Sequence, residues 1–86
     1  MPSDRLEDEL RMRARQRIRD GQLPCVRHYR TWGGRGSNEP CALCDAVIKH
    51  DEVEYEIETR DADSVHVLRF HLPCHDAWHD ECAQAA

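Results

Sequence analysis

The chain has 86 residues and a formal net charge of −5, which suits one small domain and makes a large catalytic cleft improbable. Leu, Ile, Val and Phe together supply only 15 residues, below the roughly 20% share under which a charged chain tends towards disorder. Hydrophobic burial alone is therefore not expected to hold the fold, and a second source of stability is required.

Five cysteines and six histidines are the candidates for that second source. The N-terminal sequence lacks the apolar core of a secretory signal, and no apolar run approaches the roughly 18 residues of a membrane span. We therefore expect a cytoplasmic protein. Under reducing conditions, cysteines are free to act as metal ligands, and an odd number of them fits poorly with a full set of disulfides.

Charge is divided unevenly along the chain. Residues 1–35 carry nine arginines against five acidic residues, whereas residues 36–86 carry three basic residues against twelve acidic ones. The two halves are expected either to attract each other or to bind different partners.

An arginine-rich helix is predicted within residues 1–22. Apolar residues recur every four positions from Leu6 to Ile18, and Gly21 suits the left-handed position that ends a helix. The arginines spread around the helix, so they are either contacts to a partner or to phosphate, or a solvated set that pairs with the acidic half. These candidate contacts are Arg11, Arg13, Arg15, Arg17 and Arg19.

Residues 23–40 are predicted to form an irregular, glycine-containing linker. All four glycines and two of the four prolines lie within residues 21–40, which is the composition of a loop. No phosphate-loop pattern is present, so a nucleotide site is not expected. Trp32 is instead expected to dock on the domain, and the glycines are expected to allow tight backbone paths.

A β-hairpin followed by a helix is predicted in the second half of the chain. Residues 52–59 alternate strictly between Glu and residues that are mostly apolar, residues 65–70 are apolar enough to return antiparallel, and a helix is expected from about Pro73 to about Gln84. The predicted core consists of Val53, Tyr55, Ile57, Val67, Phe70 and Trp78.

Two pairs of metal-ligand residues flank the predicted hairpin. Cys41 and Cys44 form a C-x2-C pair after Pro40, and His71 and Cys74 form an H-x2-C pair at the helix start. Three thiolates and one imidazole complete the tetrahedral shell of structural zinc, and zinc tolerates such mixed donors without redox chemistry. The sequence therefore predicts one structural zinc ion; the competing interpretation is a redox dithiol with Cys74 in the core.

The order of a C-x2-C turn, a hairpin and a helix that carries the last two ligands resembles the treble-clef zinc fingers. The ligand pattern is similar to the zinc finger of poly(ADP-ribose) polymerases. A closer resemblance, over about residues 32–82, is to a group of small uncharacterised bacterial zinc-finger proteins. It is carried by Trp32, Gly33, Gly34, Gly36, Ser37, Cys41, Cys44, Phe70, His71, Cys74 and Trp78.

Together with the helix predicted within residues 1–22, the resemblance implies an α+β fold with a zinc-stapled, treble-clef-like domain at residues 41–86. It does not carry over DNA-break recognition, because the segment here is strongly acidic whereas the polymerase finger binds DNA through a basic and aromatic surface.

A second metal site can be drawn from Cys25, His28, His79 and Cys82. The competing interpretation places the first two beside an irregular arm, His79 on an exposed helix face and Cys82 in the core. The sequence leaves this site open.

Enzymatic function has little support, because a catalytic zinc needs an open coordination position and all four predicted ligands are protein side chains. Two functions remain: a small regulatory or adaptor protein that binds another protein, and a nucleic-acid-binding protein that uses the arginine-rich helix. The first is favoured because an acidic finger repels phosphate at close range. No membrane or small-molecule substrate is implied.

Overall fold

The computed structural model describes residues 2–25, 29–60 and 64–85. It is an α+β fold, as predicted: an N-terminal helix, a three-stranded antiparallel sheet and a C-terminal helix. The elements are α1 (Pro2–Arg19), β1 (Arg30–Arg35), β2 (Val53–Arg60), β3 (Val65–His71) and α2 (Leu72–Ala85). Neither helix of the described chain is long and apolar enough to cross a membrane.

The sheet has the strand order β1-β2-β3, and both neighbouring pairs are antiparallel. The predicted hairpin is present as β2 and β3, although most of its connecting turn, residues 61–63, lies outside the described residues. Trp32 lies opposite Glu56, which in turn lies opposite Arg69. The middle strand therefore carries the glutamate row between two strands that both contain arginine.

Strand β1 corrects the expectation that residues 23–40 are irregular throughout. Residues 30–35 pair with β2 along their whole length. A Cβ atom on Gly33 would lie 3.1 Å from the Tyr55 ring, which would have to shift slightly, whereas a Cβ atom on Gly36, just after the strand, would collide with the backbone oxygen of Lys49. Trp32 does not dock on the domain as expected but is 45% exposed.

The core lies between the sheet and α2. Ile57, Phe70 and Trp78 are buried, and the rings of Phe70 and Trp78 stack with their centroids 5.2 Å apart. Val53 and Val67 were also expected in the core, but they are 52% and 43% exposed. The reason for Val67 is strand alternation, which sends it to the face opposite that of Phe70.

One glutamate of the predicted outer row is buried. Glu54 is 8% exposed because the segment after β1 covers it. Its carboxylate accepts hydrogen bonds from the Ser37 hydroxyl at 2.6 Å and from the Ser37 amide at 3.2 Å.

Helix α1 packs against α2 on the side away from the sheet. Ala14 is fully buried, and Leu10 and Ile18 pack against the same core. Leu6 stays 52% exposed. The core that contains Ala14 also contains two of the predicted zinc ligands, Cys41 and Cys74. The division into regions 1–22, 23–40 and 41–86 stays a prediction.

Candidate metal centre

The structure brings the four predicted ligands together. The ligand atoms of Cys41, Cys44, His71 and Cys74 all lie within 4.8 Å of one another, and Cys44 Sγ lies 3.4 Å from His71 Nδ1. Ligand bonds of zinc to sulfur and nitrogen imply a sulfur-to-nitrogen separation of about 3.6 Å in a tetrahedral shell. The donor set therefore fits a single tetrahedral metal ion.

A tight turn presents the first two sulfurs. The Cys41 amide donates to Ala46 O at 2.9 Å, and the Asp45 amide donates to Cys41 O at 3.0 Å. Pro40 and Val47 form an antiparallel bridge at the base of the turn. Asp45 adopts a positive φ of 67°, a left-handed conformation that aspartate tolerates better than most residues. We call this turn, residues 40–47, the knuckle.

The other two ligands come from the junction of β3 and α2. His71 is the last residue of β3, and Cys74 lies in the first turn of α2. The Ala42 amide donates to Arg69 O at 2.7 Å, which fixes the knuckle beside the strand that carries His71. The two ligand pairs are thus held against each other by backbone hydrogen bonding.

The three thiols are coupled electrostatically. A hydrogen bond from Cys74 lowers the pKa of Cys41 to about 4. The same hydrogen bond, together with burial, raises the pKa of Cys74, and burial raises the pKa of Cys44. A metal ion that binds all three sulfurs must displace the protons that they still hold.

Glu52 is a site residue that the sequence did not reveal. Its Oε1 lies 3.5 Å from His71 Nε2 and accepts a 2.8 Å hydrogen bond from the Lys49 amide. Burial lowers the pKa of His71, but the thiolate of Cys41 and the Glu52 carboxylate outweigh it and raise that pKa overall. A carboxylate on Nε2 leaves Nδ1 free to face the metal, as is common around metal-bound histidines.

Four of the five candidate arginines of α1 form ion pairs within the molecule. Arg11 and Arg15 lie 3.3 Å and 2.7 Å from the two carboxylate oxygens of Glu81, whose side chain is 3% exposed. Arg13 and Arg17 pair with Asp45 of the knuckle. Arg19 has no ion pair within the described ranges. Whether these arginines also contact a partner stays a prediction.

Two cysteines of the candidate second metal site are bonded to each other. Cys25 and Cys82 are joined by a disulfide, which the sequence did not lead us to expect, and in that state neither thiol is available to a metal. His79 is on the exposed face of α2 beside Asp80. His28 lies outside the described residues.

No protein-family model, curated protein or solved structure matches this chain. The resemblance to poly(ADP-ribose) polymerase fingers, to treble clefs and to small bacterial proteins therefore stays a prediction. The assignment of the metal centre is therefore supported by the geometry of its four ligand residues alone.

Proposed function

We propose that the protein is a non-enzymatic zinc-binding module that acts as a small regulatory or adaptor protein through contact with another protein. The observation that carries the proposal is the convergence of Cys41, Cys44, His71 and Cys74 within 4.8 Å.

The donor chemistry supports zinc in a structural role. Three thiolates and one imidazole form a closed shell that suits zinc, and Cys41 and Cys74 are almost fully buried. The ion would join the knuckle to the start of α2 and supply folding free energy on the order of ten kcal/mol, which compensates for the small number of large apolar residues.

The ion pairs of α1 support protein contact over nucleic-acid binding. Four arginines already face carboxylates, so a phosphate backbone would have to compete with intramolecular partners. The excess of acidic residues in residues 36–86 also repels phosphate. The sequence favours the cytoplasm for this function, whereas the Cys25–Cys82 disulfide is a bond that a reducing compartment disfavours.

Elemental analysis of protein purified without chelators tests the metal. We expect one zinc per chain in the wild type and in His79→Gln, and less than one in His71→Gln, because only His71 lies in the cluster. Absence of zinc in the wild type, or equal loss in both variants, would show that the ligand assignment is wrong.

A salt series of binding to mixed DNA and RNA tests the choice of partner. Phosphate contacts give an affinity that falls steeply with salt. We expect no binding at low salt; micromolar binding with a steep salt slope would favour the nucleic-acid function instead.

A further inference from the structure

The free edge of β1 is the most open backbone of the described sheet. Strand β1 pairs with β2 along one side, contacts no other helix or strand of the described chain, and all six of its residues are exposed. The opposite edge is partly covered, because Arg69 O accepts the Ala42 amide of the knuckle. An additional strand would therefore meet least obstruction at β1.

The pairing register shows which backbone groups this edge offers. The Gly36 amide donates to Glu52 O at 2.9 Å, and hydrogen-bonded pairs recur at every second residue of an antiparallel ladder. Arg30, Trp32 and Gly34 therefore bond to β2. The amides and carbonyls of Thr31, Gly33 and Arg35 point away from β2, and no described residue bonds to them, so they can pair with another strand.

The side chains beside this edge carry positive charge. Arg30 and Arg35 are exposed and have no ion pair within the described part of the chain, and Trp32 between them is 45% exposed. Alternation places Arg30 and Trp32 on one face of the strand and Arg35 on the other. The edge is thus flanked by a guanidinium on each face and by an exposed aromatic ring.

Glu58 lies directly opposite Arg30 in the ladder, but its carboxylate pairs with Arg60, and the glutamates of β2 form no ion pair with Arg30 or Arg35 within the described chain. Glu54 is buried beneath Ser37, Glu56 lies 3.3 Å from Arg69, and Glu58 lies 3.2 Å from Arg60. Each acidic side chain of the strand has its own partner.

We infer that the free edge of β1 binds an extended acidic segment of a partner protein, which adds to the sheet as a fourth strand. Main-chain hydrogen bonds to Thr31, Gly33 and Arg35 would provide the pairing, and acidic side chains would meet Arg30 and Arg35. The inference rests on the proposed role in protein contact and names the surface that performs it.

A second copy of this chain fits the edge less well. Two antiparallel β1 strands centred on Gly33 would bring Arg30 and Arg35 of both copies, four guanidinium groups, to one short interface. In this register Arg35 of each copy lies opposite Thr31 of the other, and Arg30 lies opposite Gly36. The four guanidinium groups would therefore meet no carboxylate of the partner strand. The charge of the edge therefore favours an acidic partner.

Selection from a displayed library of random twelve-residue peptides, with the zinc-loaded full chain as bait, tests the inference. We expect enriched peptides to be acidic and to slow hydrogen exchange at the amides of Thr31, Gly33 and Arg35. Enrichment of neutral or basic peptides, binding at another surface, or no enrichment would overturn it.

Two sets of variants make the test specific to the edge. Thr31→Pro removes one outward amide but no hydrogen bond to β2, and proline is tolerated at such edge positions; we expect it to weaken the selected peptide at least ten-fold. The matched control Thr31→Val keeps the amide and should bind as the wild type does. Arg30→Gln with Arg35→Gln should also lower affinity at least ten-fold and flatten its salt dependence.

Controls separate this inference from the proposed function. Zinc content is measured in each sample: a chain without zinc refutes the zinc module, whereas a zinc-loaded chain that binds no peptide at β1 refutes only the edge. Sedimentation of the free protein tests whether a second copy of this chain binds the edge instead. A dimer that Thr31→Pro abolishes would show that the edge binds a second copy and would overturn the inference of an acidic partner.

Discussion

The pairing of Glu81 with Arg11 and Arg15 predicts an asymmetric response to mutation. The Glu81 side chain is 3% exposed, whereas those of Arg11 and Arg15 are 36% and 54% exposed. Replacement of both arginines by methionine leaves a carboxylate buried between α1 and α2 without its partners. Glu81→Gln instead leaves two arginines that can turn to water.

The exposed fractions of these side chains set the expected losses of unfolding free energy. Breaking a buried ion pair from one side costs about 3–5 kcal/mol when the charge that remains is buried, so we expect about 3 kcal/mol for the Arg11→Met, Arg15→Met double variant. Glu81→Gln should cost about 1 kcal/mol, because its amide still accepts a hydrogen bond. Arg13→Met breaks an exposed pair with Asp45 and should cost below about 1 kcal/mol.

Urea unfolding at pH 7 with saturating zinc measures these free energies of unfolding. A triple variant that adds Glu81→Leu to the double variant should regain most of the loss, because an apolar side chain does not need the missing charges. If the double variant costs no more than Glu81→Gln, or if the triple variant is no more stable than the double, Glu81 is not a buried charge held by α1.

Three further predictions concern the metal centre and the disulfide. Glu52→Gln should lower zinc affinity 10- to 100-fold in chelator competition, as loss of a carboxylate beside a metal-bound histidine commonly does, while Glu9→Gln should not change it. Zinc affinity should fall as pH drops through the raised pKa of His71, because the proton bound below that pH competes with the metal; an affinity independent of pH from 8 to 5 would contradict this. The Cys25→Ala, Cys82→Ala variant should lose up to about 4 kcal/mol of unfolding free energy, the loop-closure value for a separation of 57 residues, yet keep one zinc. Unchanged stability, or loss of zinc, would count against that reasoning.

The sequence was most informative where spacing alone determines geometry. Two ligands three residues apart on a turn, or across the first turn of a helix, must lie close together, so Cys41 with Cys44 and His71 with Cys74 could be paired without knowledge of the fold. The alternation of β2 likewise predicted a strand, and Ile57 is buried as expected. Alternation could not show that Ser37 covers Glu54, because that contact depends on a segment remote in sequence.

The features that were missed all depend on long-range pairing. Residues 30–35 contain two glycines and no alternation, so they become a strand only because β2 offers an edge. The disulfide joins cysteines 57 residues apart, and no local spacing marks such a pair. Glu52 looked equivalent to the other glutamates of its row, and only the position of His71 distinguishes it.

Four arginines of the basic half pair with two acidic residues of the other half inside the molecule, and this changes where a partner is expected. A ligand that binds the paired arginines of α1 must first separate them from Glu81 or from Asp45 of the knuckle. Separation from Glu81 would leave its carboxylate buried without a counter-charge. Binding there is opposed by the cost of stranding a buried carboxylate. Arg30 and Arg35 have no such partner among the described residues, so an acidic segment at the edge of β1 breaks no existing ion pair. The four paired arginines of α1 thus stabilise the fold, whereas Arg30 and Arg35 can bind a partner without breaking an ion pair within the described chain.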